Sequence, residues 1–260
     1  SDVLFGDAQD DDIIGGYGND WISGGTGDDG VIGDDGRVYT SRNGTSEPLN
    51  GVVATVQGSI STPGNFQQTT TNPTGQLKKA VDLTPFSQDL DWAATADEFD
   101  GVSTHTSDDI IYGGLGNDWL HGGSGDDAIS GAEALAGAYS APSNPGNALG
   151  YSLVTGTFAA YDEFAPMTKV DGFLLNFDAG DGPEVISALG TVHTDGDDKI
   201  FGDLGNDWLV GGTGRDDLYG GWGDDLMNAD DDQTTHGGLN DQPDTYPSYE
   251  DRAFGGAGRD

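Results

Sequence analysis

The sequence predicts an all-β fold in which short parallel strands stack on two faces of a flattened coil. Three observations support this prediction. Glycine contributes 45 of the 260 residues, about 17% against a usual share of about 7%, which disfavours a helical domain. A nine-residue unit, G-G-x-G-x-D-x-U-x with U apolar, recurs in tandem and in phase. Each unit contains one apolar place, so only stacked neighbours can bury its side chain.

The order of residues within the unit has a physical reason. Glycines at the first, second and fourth places permit positive φ and leave backbone carbonyls uncovered, so the first six residues form a tight turn. The last three residues suit a short strand, whose eighth place points inward while the seventh and ninth point outward. The inward residues are Ile22, Val31, Leu120, Ile129, Leu209, Leu218 and Met227.

The units fall into three clusters, separated by two stretches of different composition. We assign repeat clusters to residues 1–36, 103–131 and 193–232, inserts to residues 37–102 and 132–192, and a linker with the start of a further repeat to residues 233–260. The repeat is already under way at residue 1 and is unfinished at residue 260. We therefore expect the chain to be a segment of a longer protein.

The two inserts lack the repeat and are predicted to be mainly β or irregular. In the first insert, residues 51–56 and 77–83 are strand candidates. In the second, residues 133–139 are a short helix candidate, and residues 151–161 and 173–177 are strand candidates.

Three tryptophans, Trp21, Trp119 and Trp208, occupy the outward seventh place. Large aromatic side chains at this place would be exposed to water unless something covered them. We expect the two inserts to fold back over that face, so that the three clusters join into one roll. A platform for a carbohydrate or a protein partner is the alternative use of the same residues.

Charge and cysteine content exclude several classes of function. The chain has 46 acidic and 9 basic residues, a net charge of −37, and no cysteine. Such a field repels nucleic acids and anionic membrane surfaces, and no apolar run is long enough to span a membrane. The lack of cysteine excludes disulfides, thiolate zinc sites and iron–sulfur clusters. Since so many like charges oppose a compact state, we expect bound cations with oxygen ligands.

The sixth-place aspartate indicates which cation binds. It follows a turn of uncovered carbonyls, so stacked turns create an all-oxygen cage between them. Calcium accepts six to eight oxygens in flexible geometry, whereas magnesium demands an octahedron and keeps its waters. Several Ca²⁺ ions are therefore the predicted cofactors.

The tandem units resemble the RTX (repeat-in-toxin), or hemolysin-type, calcium-binding nonapeptide repeats. The resemblance implies a right-handed parallel β-roll, a solenoid with two units per coil and calcium between successive turns. It also implies that turn carbonyls and the sixth-place carboxylate are the ligands. Carried over by position, the implied metal-site residues are Asp11, Gly15, Gly16, Tyr17, Gly18, Asn19, Asp20, Gly24, Gly25, Thr26, Gly27, Asp28, Asp29, Asp109, Gly113, Gly114, Leu115, Gly116, Asn117, Asp118, Gly122, Gly123, Ser124, Gly125, Asp126, Asp127, Asp198, Gly202, Asp203, Leu204, Gly205, Asn206, Asp207, Gly211, Gly212, Thr213, Gly214, Arg215, Asp216, Gly220, Gly221, Trp222, Gly223, Asp224 and Asp225.

Catalytic motifs are missing from the sequence. The four histidines form no H-E-x-x-H pair, and there is no G-x-S-x-G elbow, phosphate loop or EF-hand spacing. The carboxylates lie in acidic turns, whereas a catalytic pair needs one carboxyl in an apolar pocket. We therefore expect no enzyme activity in this segment.

We predict that calcium binding folds and stiffens a segment of a larger secreted or cell-surface RTX-like protein. At low calcium the carboxylates repel and the chain stays open, while at extracellular calcium the cages fill and the coils stack. The resemblance implies a bacterial protein exported by a type I route, with calcium and the other modules of the longer chain as partners. Two alternatives stay open: an adhesive or carbohydrate-binding module of a surface adhesin, and the C-terminal secretion-associated roll of an exported hydrolase or toxin.

Overall fold

A computed structural model of the chain describes residues 1–41, 78–83, 107–159, 172–187, 190–229 and 251–260. The strand candidate at residues 51–56 lies outside these ranges. In the described part, strands of three to six residues dominate and the helical content is one 3-10 turn, Ala138–Ser140. The strands are β1 (Val3–Phe5), β2 (Asp12–Ile14), β3 (Trp21–Thr26), β4 (Gly30–Ile32), β5 (Arg37–Ser41), β6 (Lys78–Asp82), β7 (Ile110–Leu115), β8 (Trp119–Ser124), β9 (Ala128–Ser130), β10 (Glu184–Ser187), β11 (Gly190–His193), β12 (Lys199–Leu204), β13 (Trp208–Val210), β14 (Asp217–Trp222), β15 (Leu226–Asn228) and β16 (Arg252–Ala257).

The repeat strands form two parallel sheets of six strands each. Sheet A has the order β1-β3-β7-β9-β13-β15, and sheet B has the order β2-β4-β8-β12-β14-β16. Along the chain, successive repeat strands alternate between the two sheets, as a flattened coil requires. The all-β class is confirmed, and the two parallel sheets are consistent with the predicted β-roll. We call the two sheets and the turns that join them the roll.

The inserts interrupt turns without shifting the strand register. Trp21 of β3 pairs with Ile110 of β7, and Ala128 of β9 pairs with Trp208 of β13, although an insert separates the partners in each case. The three clusters therefore join into one continuous pair of sheets, as predicted.

The interior of the roll is a single file of apolar side chains from each sheet. It is formed by the eighth-place residues Ile22, Val31, Ile111, Leu120, Ile129, Ile200, Leu209 and Leu218, all of which are fully buried. Met227 packs against them and is partly buried. The predicted inward direction of the eighth place is thus confirmed, and burial of these side chains is the hydrophobic contribution to stacking.

The second insert builds another core on the outer face of sheet A. Trp21 and Trp208 are buried there, against Leu149, Phe158 and Leu175 of the insert. The hydroxyl of Tyr112, on β7, donates a hydrogen bond to the Leu174 carbonyl at 2.8 Å. The insert thus covers two of the three tryptophans, as expected for that face.

Three expectations about the inserts need correction. Trp119 lies on sheet B, so the three tryptophans do not share one face. Successive repeat strands alternate between the sheets, and β8, which begins at Trp119, comes an odd number of repeat strands after β3, which begins at Trp21. The helix candidate at residues 133–139 is reduced to the 3-10 turn at its end. Residues 151–159 form only one isolated bridge, Ser152 with Thr157, and residues 173–177 form no strand. Their apolar side chains satisfy the packing of the sheet A core rather than a strand pattern.

The first insert contributes the antiparallel pair β5–β6, which confirms the strand candidate at residues 77–83. This strand pair covers the β2–β4 end of sheet B, where Val38 and Lys79 lie over Gly30. The Lys79 ammonium donates to the Asp11 carbonyl at 2.7 Å and to Asp12 Oδ1 at 2.6 Å. In the described part of the chain, no helix has the length and apolar character needed to cross a bilayer.

Candidate metal centre

The sixth-place aspartates form two rows, one along each edge of the roll. In each row, the backbone N–H of one aspartate donates to Oδ1 of the aspartate in the next coil, as from Asp20 to Asp109 at 2.7 Å and from Asp29 to Asp118 at 2.7 Å. Row A precedes the strands of sheet A and contains Asp2, Asp20, Asp109, Asp127, Asp207, Asp225 and Asp260. Row B precedes the strands of sheet B and contains Asp11, Asp29, Asp118, Asp198, Asp216 and Asp251.

The second carboxylate oxygen, Oδ2, is the chemically unusual atom of these rows. Among the ten sixth-place aspartates predicted as ligands, nine have Oδ2 buried and without a hydrogen-bond partner in the described structure: Asp11, Asp20, Asp29, Asp109, Asp118, Asp127, Asp198, Asp207 and Asp225. An unsatisfied buried carboxylate oxygen is costly, and its regular recurrence requires an explanation.

Each of these Oδ2 atoms faces a backbone carbonyl oxygen. The space between the two oxygens is where a side chain would lie if the first-place residue were not glycine. A Cβ added to Gly24 would lie 2.5 Å from both Asp29 Oδ2 and the Gly113 carbonyl oxygen. A Cβ at Gly113 would lie 2.5 Å from Asp118 Oδ2 and 2.7 Å from the Gly131 carbonyl oxygen. The space that a side chain would fill is therefore lined by oxygens from two adjacent coils. This donor set, carboxylate and carbonyl only, fits calcium.

Positive φ at the second and fourth places makes the turns possible. Gly25 and Gly27 have φ of 102° and 146°. In the degenerate first unit, Asp7 and Gln9 occupy the corresponding places with φ of 71° and 79°. The turn therefore forms there without glycine at these two places, although this conformation is unfavourable for residues that have a side chain.

Burial raises the pKa of nine row carboxylates, those of Asp20, Asp29, Asp109, Asp118, Asp127, Asp198, Asp207, Asp216 and Asp225. Desolvation is the largest cause throughout, and neighbouring aspartates add to it, while the backbone N–H bond opposes it. The pKa rises from 3.8 to about 6 for Asp29 and Asp225, and to about 8 for Asp216. The pKa values of Asp109, Asp118, Asp127, Asp198 and Asp207 lie well above their ordinary value for the same reason. A folded roll of bare carboxylates is thus electrostatically costly, and a cation between the coils would offset that cost.

The predicted site residues divide by role in the structure. The sixth-place carboxylates face the oxygen-lined spaces, and any contribution of the other turn residues would come from their carbonyls. The third-place side chains of Tyr17 and Trp222 point to solvent, with 60% and 65% of their surface exposed. Within the described residues, no three carboxylates or imidazoles gather at one point, because each aspartate faces backbone oxygens instead.

Fifth-place side chains have a structural role that the sequence analysis did not assign. Their Oδ1 atoms accept the backbone N–H of the fifth residue in the following coil, as Asp28 does from Asn117 at 3.0 Å and Asp126 from Asn206 at 3.0 Å. These bonds run opposite in direction to those of the sixth-place rows. The recurrence of Asn or Asp at the fifth place, as at Asn19 and Asp224, is the sequence signal from which this role could have been predicted.

Two further buried aspartates lie where the inserts interrupt the turns. Asp34 Oδ2 accepts from the backbone N–H of Ser124 at 2.8 Å and from its hydroxyl at 2.6 Å. Asp195 Oδ1 accepts from the backbone N–H of Thr213 at 2.9 Å. Desolvation raises the pKa of Asp34 to about 6 and that of Asp195 to about 7. Their hydrogen bonds join each interrupted turn to the neighbouring uninterrupted turn. No sequence motif predicts these bonds.

The repeat clusters match a known family. Residues 1–37, 104–133 and 194–227 match the family model described as RTX calcium-binding nonapeptide repeat (4 copies). No curated protein and no solved structure matched the chain. The three matched segments overlap the three clusters and contain every row aspartate except Asp251 and Asp260.

Proposed function

We propose that this chain is a calcium-folded segment of a larger secreted or cell-surface protein, because its three clusters match the RTX calcium-binding nonapeptide repeat. The proposal includes the finer architecture, a right-handed β-roll solenoid with several calcium ions held between successive turns. Export by a bacterial type I route follows from the family and belongs to the same proposal. The observation on which it rests is the row of buried, unpartnered Oδ2 atoms, each opposite a carbonyl of the next coil.

The residues that would hold calcium are the sixth-place aspartates and the carbonyls of the turns stacked on them. When bound, calcium supplies positive charge that offsets the carboxylates the roll buries. The chain's own residues prepare the site: Asp118 Oδ1 is fixed by the N–H of Asp29 at 2.7 Å, which directs Oδ2 toward the space beside Gly113. Since each site takes oxygens from two neighbouring coils, site formation and coil stacking are coupled.

We propose no catalytic role for the segment. The carboxylates with raised pKa lie in rows against backbone groups rather than as an isolated pair in an apolar pocket. The carbohydrate platform considered for the tryptophans loses its main support, because Trp21 and Trp208 are buried under the second insert. Folding and stiffening on calcium is therefore the function that the geometry favours.

A far-UV circular dichroism titration of the 260-residue chain with calcium tests the proposal, with magnesium at matched ionic strength as the control. We expect a cooperative gain of β signal with calcium alone. A spectrum already folded in chelator and unchanged by calcium would overturn the proposal. Calorimetric titration then counts the ions, and it should find more than one.

A further inference from the structure

The outer face of sheet B carries an aromatic ladder on the half formed by β8, β12, β14 and β16. On β8, β12, β14 and β16, the ninth-place rings of His121, Phe201, Tyr219 and Phe254 stack face to face. Their centroids are 4.3, 4.7 and 4.9 Å apart, and neighbouring planes lie within 7° of parallel. The ring faces cover one another, so the ladder presents ring edges outward as an apolar ridge.

A groove runs beside this ridge. Its cavity volume is about 310 Å³. Phe201 and Tyr219 of the ladder line it, together with Leu204, Trp222 and Gly221. The Trp222 side chain is 65% exposed, which is unusual for an indole in a folded domain. Leu83, at the end of the β5–β6 strand pair, also lines the groove.

Asp203 supplies the only charge among the groove-lining residues that the structure describes. It replaces the second-place glycine of its unit and has a φ of 72°, a conformation that is costly for a residue with a side chain. Its Oδ2 lies 2.8 Å from His121 Nδ1. Its Oδ1 has no hydrogen-bond partner within the described ranges.

The basic residues of this face lie on the other side of the ladder and are already engaged. Lys199 Nζ is 5.6 Å above the Trp119 ring, and Arg252 is 3.4 Å from Asp217 Oδ1. The groove is therefore apolar, locally acidic and part of a chain of net charge −37. These properties repel anionic partners and attract cations that have an apolar stem.

We propose that this groove is a docking site for an arginine side chain of a polypeptide partner. The planar guanidinium stacks on the exposed face of Trp222 and donates to Asp203 Oδ1, while its methylene stem contacts the ring edges and Leu204. The inference goes beyond calcium-dependent folding and requires only that the roll is folded. Its failure would leave the calcium sites unaffected, since those lie between the coils.

The test uses the full chain in saturating calcium with the peptide acetyl-Gly-Arg-Gly-amide as probe. The control probe replaces arginine with citrulline, which has nearly the same shape and no charge. We expect the Trp222 indole N–H resonance to shift with the arginine peptide, at a millimolar dissociation constant that weakens as salt is added. Equal binding of the citrulline peptide, or no shift with the arginine peptide, would overturn the proposal.

Three variants assign the contacts. Asp203→Gly restores the residue usual at this place in the repeat and should weaken arginine binding roughly tenfold. Trp222→Ala should abolish binding, followed in this variant by the backbone N–H resonance of Gly221. Leu153→Ala, which removes an exposed apolar side chain of the second insert, should leave binding unchanged. The far-UV circular dichroism spectrum in saturating calcium establishes that each variant folds. Retention of full affinity in Asp203→Gly would contradict the proposed role of the carboxylate.

Discussion

Replacing Asp29 by asparagine should change stability in opposite directions with and without calcium. Asparagine keeps an oxygen to accept the Asp11 N–H, which donates to Asp29 Oδ1 at 2.7 Å, and it removes the charge. Burial raises the Asp29 pKa from 3.8 to about 6. At about 1.4 kcal/mol per tenfold change in proton affinity, this rise corresponds to about 3 kcal/mol of destabilisation at pH 8. In chelator, Asp29→Asn should therefore raise the free energy of unfolding by up to about 3 kcal/mol.

In saturating calcium the same variant should be less stable than the wild type. It loses the Oδ2 ligand, and an ion present at 100 times its dissociation constant contributes about 2.7 kcal/mol to the folded state. The matched control is Asp28→Asn, which removes the same charge one residue away. Asn19 and Asn117 occupy that fifth place in other units, so we expect changes within about 0.5 kcal/mol under both conditions.

The assay is urea unfolding at pH 8, followed by far-UV circular dichroism, in chelator and in calcium. Trimethylamine N-oxide is added equally to all samples so that the folded state is populated without metal. If Asp29→Asn destabilises the chain equally in chelator and in calcium, Asp29 acts only as a hydrogen-bond acceptor and the metal-ligand reasoning is refuted.

Three other predictions concern the pH dependence of stability, the first-place glycine beside a candidate metal site, and the core on the outer face of sheet A. In chelator with trimethylamine N-oxide, stability should rise as pH falls from about 8 toward 4, because the folded-state pKa of Asp216 (about 8) and of Asp225 (about 6) exceeds the unfolded value of 3.8, so the folded state takes up protons. Thermal melts in that buffer at constant ionic strength that show maximal stability at pH 8 would contradict this. Gly113→Ala should shift the calcium midpoint to higher concentration, because its Cβ would lie 2.5 Å from Asp118 Oδ2, whereas Gly137→Ala meets nothing within 4 Å and should not shift the midpoint of the dichroism titration. Leu175→Ala removes a fully buried side chain of the sheet A core and should cost about 2–5 kcal/mol in calcium and in chelator alike; Leu153→Ala, at a position 88% exposed, is the control in the same urea assay, and a loss confined to calcium would contradict a metal-independent core.

The periodic features of the fold could be predicted because each place in the nonapeptide repeat has the same position and orientation in every unit. Ile22 and Leu209 are buried as their eighth place requires, and the sixth-place aspartates face carbonyls because turn and strand alternate in phase. The prediction for Trp119 was wrong because the degenerate segment before its unit also forms a strand, β7, and this strand places Trp119 on the other sheet.

Interactions between segments far apart in the chain were not predictable. Burial of Trp208 against Phe158 depends on the path of the second insert, whose apolar residues have no strand or helix period. Asp34 meets Ser124 across 90 positions. No local pattern specifies such a partner, because the bond depends on where the insert closes the turn.

The position of the inserts inside turns also affects how fast the roll assembles and how well the chain tolerates inserted segments. Neighbouring aspartates of a row are 18 residues apart in an uninterrupted coil and 89 apart across the first insert. Because loop-closure entropy grows only logarithmically with length, that difference costs about 1.4 kcal/mol. The cost falls on the rate of assembly more than on the final stability, since distant segments must meet before the strands pair. A turn of this kind is therefore a natural grafting point, where a foreign domain with adjacent termini could be accepted while the strands on either side keep their pairing.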